Sequence, residues 1–221
     1  MSAIQSTAGS PDYTYRPYEE AGLDVYNIIV NRLPLPPNLG QFPNLQGLSV
    51  EWIQDINADA FAHLHLPNLR CLTLSAFRTP TLPSGLFRNQ RQLHTLSIAG
   101  SLLKTLPPGL FQGLTQLQSL YLESNKEMTA LDPALFRGLP QLKHLRLWGN
   151  GLTTLPQGIF DGLAQLEELS IEESEIRSLD PHLFQDLRQL KELYLPEAFP
   201  AAERITLITA LKEQLPHLEI H

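Results

Sequence analysis

The pattern Leu-x-x-Leu-x-Leu begins at Leu45, Leu69, Leu93, Leu117, Leu142, Leu166, Leu190 and Leu215, at intervals of 24 or 25 residues. A period held this closely restricts a chain to repeat architectures, in which each unit buries its apolar face only against its neighbours. Val25-x-x-Ile28-x-Val30 adds a degenerate copy on the N-terminal side. In Leu142-Lys-His-Leu145-Arg-Leu147 the last leucines alternate with polar residues, the period of a half-buried strand. Gly149-Asn150 then makes a turn whose asparagine can bond the backbone of a neighbouring coil. Leu152 and Leu155 return the chain inward, Pro156 keeps the descent extended, and Ile159, Phe160 and Leu163 pack the outer side. Phe87, Phe111, Phe136, Phe160 and Phe184 follow their motif starts by 18 or 19 residues and are expected to stack as a spine.

The fold class expected from this pattern is an α/β solenoid. It is a horseshoe with a curved parallel β-sheet on the concave side and loops, 3-10 turns and short helices on the convex side. Residues 1–22 hold few large aliphatics and many Ser, Thr, Gly, Pro and Tyr, and they read as a disordered N-terminal segment. Residues 23–221 read as a single domain: a capping, degenerate repeat over 23–44, repeats over 45–199, and a C-terminal helix and last strand over 200–221. Pro200 can open that helix. Ile205, Ile208, Leu211 and Leu215 would then form its buried stripe. Leu215-x-x-Leu218-x-Ile220 starts another copy, and its open edge is expected to be covered by a partner or by further chain.

The stretch Leu-Pro-x-Gly-Leu-Phe-x-Gly-Leu-x-x-Leu-x-x-Leu, best preserved from Leu106 to Leu120, resembles the typical leucine-rich-repeat class, and the likeness extends over residues 42–221. Leu35 to Leu45 is more similar to the plant-type convex segment. The resemblance implies protein recognition on the concave sheet. It also implies an alternative, the substrate-targeting part of a larger bacterial effector such as a ubiquitin ligase or nucleotidyl transferase. The cysteine-rich end caps of secreted members are absent here, which points away from an extracellular receptor. The class places an asparagine in each turn; the corresponding residues here are Ile53, Phe77, Ser101, Asn125, Asn150, Ser174 and Ala198. The turn bonds should therefore weaken towards both ends.

Between the leucines, the strand residues that face outward fall into three columns. The first holds Gly47, Cys71, Thr95, Ser119, His144, Glu168 and Glu192; the second Ser49, Thr73, Ser97, Tyr121, Arg146, Ser170 and Tyr194. The third holds Glu51, Ser75, Ala99, Glu123, Trp148, Glu172 and Pro196. Small residues dominate up to Ala99, and aromatic and charged ones follow. Because Tyr, Trp and Arg anchor interfaces most often, the expected partner site is Tyr121, Glu123, His144, Arg146, Trp148, Glu168, Glu172 and Tyr194. Trp52 is a weaker candidate. The bland alternative is that Trp148 lies on its neighbours and Arg146 pairs with a nearby glutamate. Glu167, Glu168, Glu172, Glu173 and Glu175 suggest a protein partner with a basic patch.

Other classes find little support. The formal charge of −7 disfavours nucleic acid as a partner. Cys71 is the only cysteine, so no internal disulfide can form. The first 22 residues have no apolar run of the kind a signal peptide needs. Nothing approaches eighteen consecutive apolar residues, so no membrane partner is expected. A cytoplasmic protein, or one delivered into a host cell, fits these features. His63-x-His65 lacks a third ligand, and Cys71 near His94 lacks an orienting acid, so neither metal, cofactor nor catalysis is expected.

Overall fold

The computed structural model describes residues 13–17, 26–30, 44–51, 56–61, 66–76 and 78–221. Its strands are β1 (Tyr13–Pro17), β2 (Tyr26–Val30), β3 (Gly47–Glu51), β4 (Cys71–Ser75) and β5 (Thr95–Ala99). They continue with β6 (Ser119–Glu123), β7 (His144–Arg146), β8 (Glu168–Ser170), β9 (Glu192–Tyr194) and β10 (Glu219–Ile220), and one α-helix, α1 (Ala201–Gln214), precedes β10. The strands form one sheet in chain order, with β1 antiparallel to β2 and all later neighbours parallel. This is an α/β solenoid of the kind the repeat demands.

From β3 to β6 each repeat places its second and third apolar positions in a strand, while the shorter β7 to β9 hold only the second. Leu72 and Leu74, Leu96 and Ile98, and Leu120 and Leu122 are fully buried, while the residues between them are partly exposed. One coil is too thin to bury these side chains alone, so the core runs unbroken from coil to coil.

The phenylalanine spine is present and extends one coil further than expected. Phe61, Phe87, Phe111, Phe136, Phe160 and Phe184 are each at most 1 % exposed. Ring centroids are 6.5 Å apart for Phe61–Phe87, 6.2 Å for Phe87–Phe111, 6.4 Å for Phe111–Phe136 and 6.2 Å for Phe160–Phe184. Hydrogen-bonded strands lie only ~4.8 Å apart. The longer step on the phenylalanine side bends the stack so that the sheet lies inside the bend.

The turns hold the coils in register. Asn150 Nδ2 donates to Leu122 O at 2.6 Å and Leu147 O at 2.7 Å, and its Oδ1 accepts from Asn125 N at 3.0 Å. Asn125 repeats the arrangement one coil back, bonding Ile98 O, Glu123 O and Ser101 N. The shorter Ser174 reaches only Ile171 O in its own coil. The residue before each of these positions is left-handed. Gly100 and Gly149 adopt φ of 60° and 68°, but Ala76, Ser124 and Glu173 are held at 58°, 56° and 48°. An L side chain is strained there. Exposed Glu173 loses no packing on truncation, so Glu173→Gly is expected to raise stability by about 0.5–1 kcal/mol despite the added unfolded-chain entropy. A urea midpoint at or below wild type would contradict this.

Two expectations need correction. Tyr13–Pro17 lies within the segment read as disordered, yet it forms β1 and pairs along β2 from Tyr13↔Val30 to Pro17↔Tyr26. Its Tyr-Thr-Tyr composition suits a strand, and β2 would otherwise be a bare edge of the parallel sheet. The rest of 1–22 lies outside the described residues, as do the plant-like convex stretch up to residue 43, Ile53 and Phe77.

The second correction concerns α1. Leu211 and Leu215 are buried as expected and Ile208 is half-buried, but Ile205 is 67 % exposed and Leu207 is buried in its place. A stripe through either residue has helical spacing. The orientation is fixed by contact with the 3-10 helix Pro181–Phe184 and by Arg204, which donates to Pro196 O and His221 O. Lys212 also donates to Leu218 O.

Candidate functional site

The strand pairing brings the outward columns together as the repeat arithmetic requires. His144, Glu168, Glu192 and Glu219 stand side by side in one row, and Tyr121, Arg146, Ser170 and Tyr194 in the next. Beyond the short strands, Ser124 N donates to Trp148 O at 2.9 Å and Gly149 N to Glu172 O at 3.1 Å. These bonds keep Glu123, Trp148 and Glu172 aligned as the third row. Over the C-terminal coils the three rows enclose an open recess of about 530 Å³.

Six of the eight expected residues line this recess: Glu123, Arg146, Trp148, Glu168, Glu172 and Tyr194. Tyr121 lies beside it, with the Arg146 guanidinium carbon 5.3 Å from its ring centroid. His144 is not in the lining, and its Nδ1 lies 3.3 Å from Ser119 Oγ. Ser170 and Glu192 also line the recess. Both stand in the outward columns, Ser170 in the second and Glu192 in the first.

The charges in the recess do not balance. Arg146 Nε donates to Glu168 Oε1 at 2.7 Å, and that bond holds the guanidinium more firmly protonated than usual. Arg146 is thus engaged within the sheet, as the plainer reading expected. Glu123, Glu172 and Glu192 have no lysine or arginine ion pair among the described residues. Glu172 accepts from Ser170 Oγ at 3.0 Å, and Glu192 from the Tyr194 hydroxyl at 2.5 Å. Burial pushes the Glu123 carboxyl up, against the attraction of Arg146. The Tyr194 hydroxyl is pushed up to about 12, first by its bond to Glu192 and then by burial and the charges of Glu192, Glu168 and Glu172. A half-buried, carboxylate-rich recess with aromatic walls favours a cation.

The rest of the acidic run is occupied elsewhere. Glu167 is bracketed by Lys143, at 3.2 Å, and Lys191, and these partners draw its carboxyl below the usual range. Glu175 faces Arg177 at 3.8 Å. Only Glu168 and Glu172 of that run reach the recess.

Cys71 pairs in register with Thr95 rather than with His94, whose Nδ1 lies 2.7 Å from Gln92 O. Burial pushes the Cys71 thiol up, against a hydrogen bond with Thr95 and the charge of Arg70. A raised thiol is a poorer nucleophile at neutral pH. Among the described residues no group of three or more His, Cys, Asp or Glu is placed to hold a metal ion. No helix among them is long and apolar enough to cross a membrane. Trp52, His63 and His65 lie outside the described residues.

Comparison with known proteins agrees with this architecture. A leucine-rich repeat family model matches residues 67–126, 91–152 and 140–197, together more than half of the chain. No curated protein matches the sequence. The fold is similar to that of a Leptospira interrogans leucine-rich-repeat protein, with TM-score 0.66 and 25 % identity over 86 % of this chain and 51 % of that one. It is also similar to a chain of the Drosophila Toll–Spatzle complex, with TM-score 0.64 and 20 % identity over 89 % of this chain and 30 % of that one. A chain of the TLR13–ssRNA13 complex gives TM-score 0.55 and 25 % identity over 75 % and 26 % respectively. The chain thus spans between about a quarter and a half of the length of these structures.

Proposed function

This chain belongs to the leucine-rich repeat family, and from that premise we propose that it is a protein-recognition module that binds a basic surface of a partner through the C-terminal half of its concave sheet. One observation carries the reading: Trp148 and Tyr194 share a recess with four glutamates and a single guanidinium. Aromatic side chains supply area at little entropic cost, and unbalanced carboxylates select the sign of what approaches. The Toll–Spatzle complex supports a protein partner for a scaffold of this shape. The TLR13–ssRNA13 complex brings RNA into consideration, but carboxylates repel phosphates, so the recess favours protein.

The test is affinity capture with wild type and with Arg146→Ala combined with Trp148→Ala. Removing two central anchors is expected to weaken capture at least about thirtyfold, the equivalent of about 2 kcal/mol. Wild-type affinity should also fall as salt rises. Undiminished recovery by a variant with unchanged circular dichroism overturns the reading.

A second reading, the targeting part of a larger bacterial effector enzyme acting inside a host cell, draws on the resemblance of the Leu106–Leu120 stretch to the repeats of such effectors. A catalytic domain encoded in the same gene would support it.

A further inference from the structure

The sheet already holds one guanidinium, and a similar setting occurs nearby without one. Arg146 lies over the Tyr121 ring of the preceding coil and donates to Glu168 of the following coil. In the same row, the next position is Ser170 and the one after it Tyr194. Ser170 is only 3 % exposed, and its short side chain is turned to Glu172. No long side chain of this row therefore fills the space between Arg146 and Tyr194.

The surroundings of that space suit a planar cation. His221 covers one face of the Tyr194 ring, with centroids 4.5 Å apart and planes at 18°. Ser170 pairs with Tyr194 from the opposite strand, so the other face looks towards the recess. Glu172 stands on one side and Glu192 on the other. Each carboxylate has one oxygen engaged, by Ser170 and by Tyr194 respectively, which leaves the second oxygen for a donor. A guanidinium can stack on a ring and bond two carboxylates at once, whereas an ammonium is a compact point charge.

We propose that the recess receives an arginine side chain of the bound protein, its guanidinium lying above Ser170, against the Tyr194 ring and between Glu172 and Glu192. This rests on the concave-face reading above and narrows it to one anchoring side chain. Glu123 and Trp148 close the far wall. At ~4.8 Å per strand the three coil steps from Glu123 to Glu192 span ~14 Å, the length of about four extended residues. A short extended segment with one arginine suffices to cover it.

The probe is an acetyl-Gly-Arg-Gly amide peptide titrated into the full chain, read by the indole N–H of Trp148 in heteronuclear NMR. The chain has two tryptophans, so Trp148→Phe assigns the signals. A saturable shift is expected with the arginine peptide, at least about tenfold weaker with its citrulline or lysine counterpart. Glu172→Gln combined with Glu192→Gln should weaken arginine binding by about the same factor, while Glu51→Gln at the other end leaves it unchanged. Equal binding of citrulline or lysine, indifference to the double glutamine variant, or no shift at the solubility limit overturns the arginine assignment. If the Arg146/Trp148 variant still loses partner capture, only that assignment falls; if capture is also undiminished, the concave reading falls with it.

Discussion

Asn150→Ala is expected to destabilise the chain by about 3–9 kcal/mol, because each buried polar group left without a partner costs about 1–3 kcal/mol and the change strands three of them. Leu122 O and Leu147 O lose their donor, and Asn125 N loses its acceptor. Asn150 is 2 % exposed, so water does not readily replace these bonds. Asn150→Ser should be milder, since Ser174 at the equivalent position still bonds Ile171 O at 2.8 Å. Urea denaturation measures the difference, and amide exchange at Asn125 should speed up in the alanine variant. A loss below about 1 kcal/mol would mean that the ladder is satisfied by water instead.

Phe136→Ala is expected to cost about 3–5 kcal/mol, the usual range for emptying a buried aromatic site. Its ring is fully buried and lies 6.4 Å from that of Phe111. The effect should go beyond a lower midpoint. In a linear stack each coil is coupled only to its neighbours, so weakening one interface lets the two sides unfold separately. The urea transition should therefore broaden, with a smaller slope than wild type. Phe136→Leu, which keeps most of the volume, should retain a single steep transition. A sharp transition in the alanine variant would show that the spine is not what joins the coils.

The period carried most of the fold because each strand has only two faces. Once Leu120 and Leu122 are assigned to the core, Tyr121 and Glu123 must face outward, and equal offsets from the motif starts Leu117 and Leu142 place Arg146 beside Tyr121 without further information. The spine member Phe61 was missed because it follows Leu45 by 16 residues instead of 18 or 19. The helix was harder to read. Ile205, Leu207, Ile208, Leu211 and Leu215 contain two overlapping stripes. The rotation that buries Leu207 depends on contacts with Pro181–Phe184 and Arg204, far away in sequence or not apolar. At the recess, the columns gave the neighbours but not the pairing of charges. That Arg146 turns to Glu168, leaving Glu172 and Glu192 without a cation, is a matter of side-chain torsions rather than spacing.

The phenylalanine rings step by 6.2–6.5 Å where strands step by ~4.8 Å. Each coil is therefore a wedge, and stacked wedges trace an arc. Adding or deleting a 24-residue unit would change how far the arc closes without touching any displayed side chain. In such a molecule the aperture offered to a partner and the chemistry inside it can evolve independently, one through the number of wedges and the other through three rows of residues.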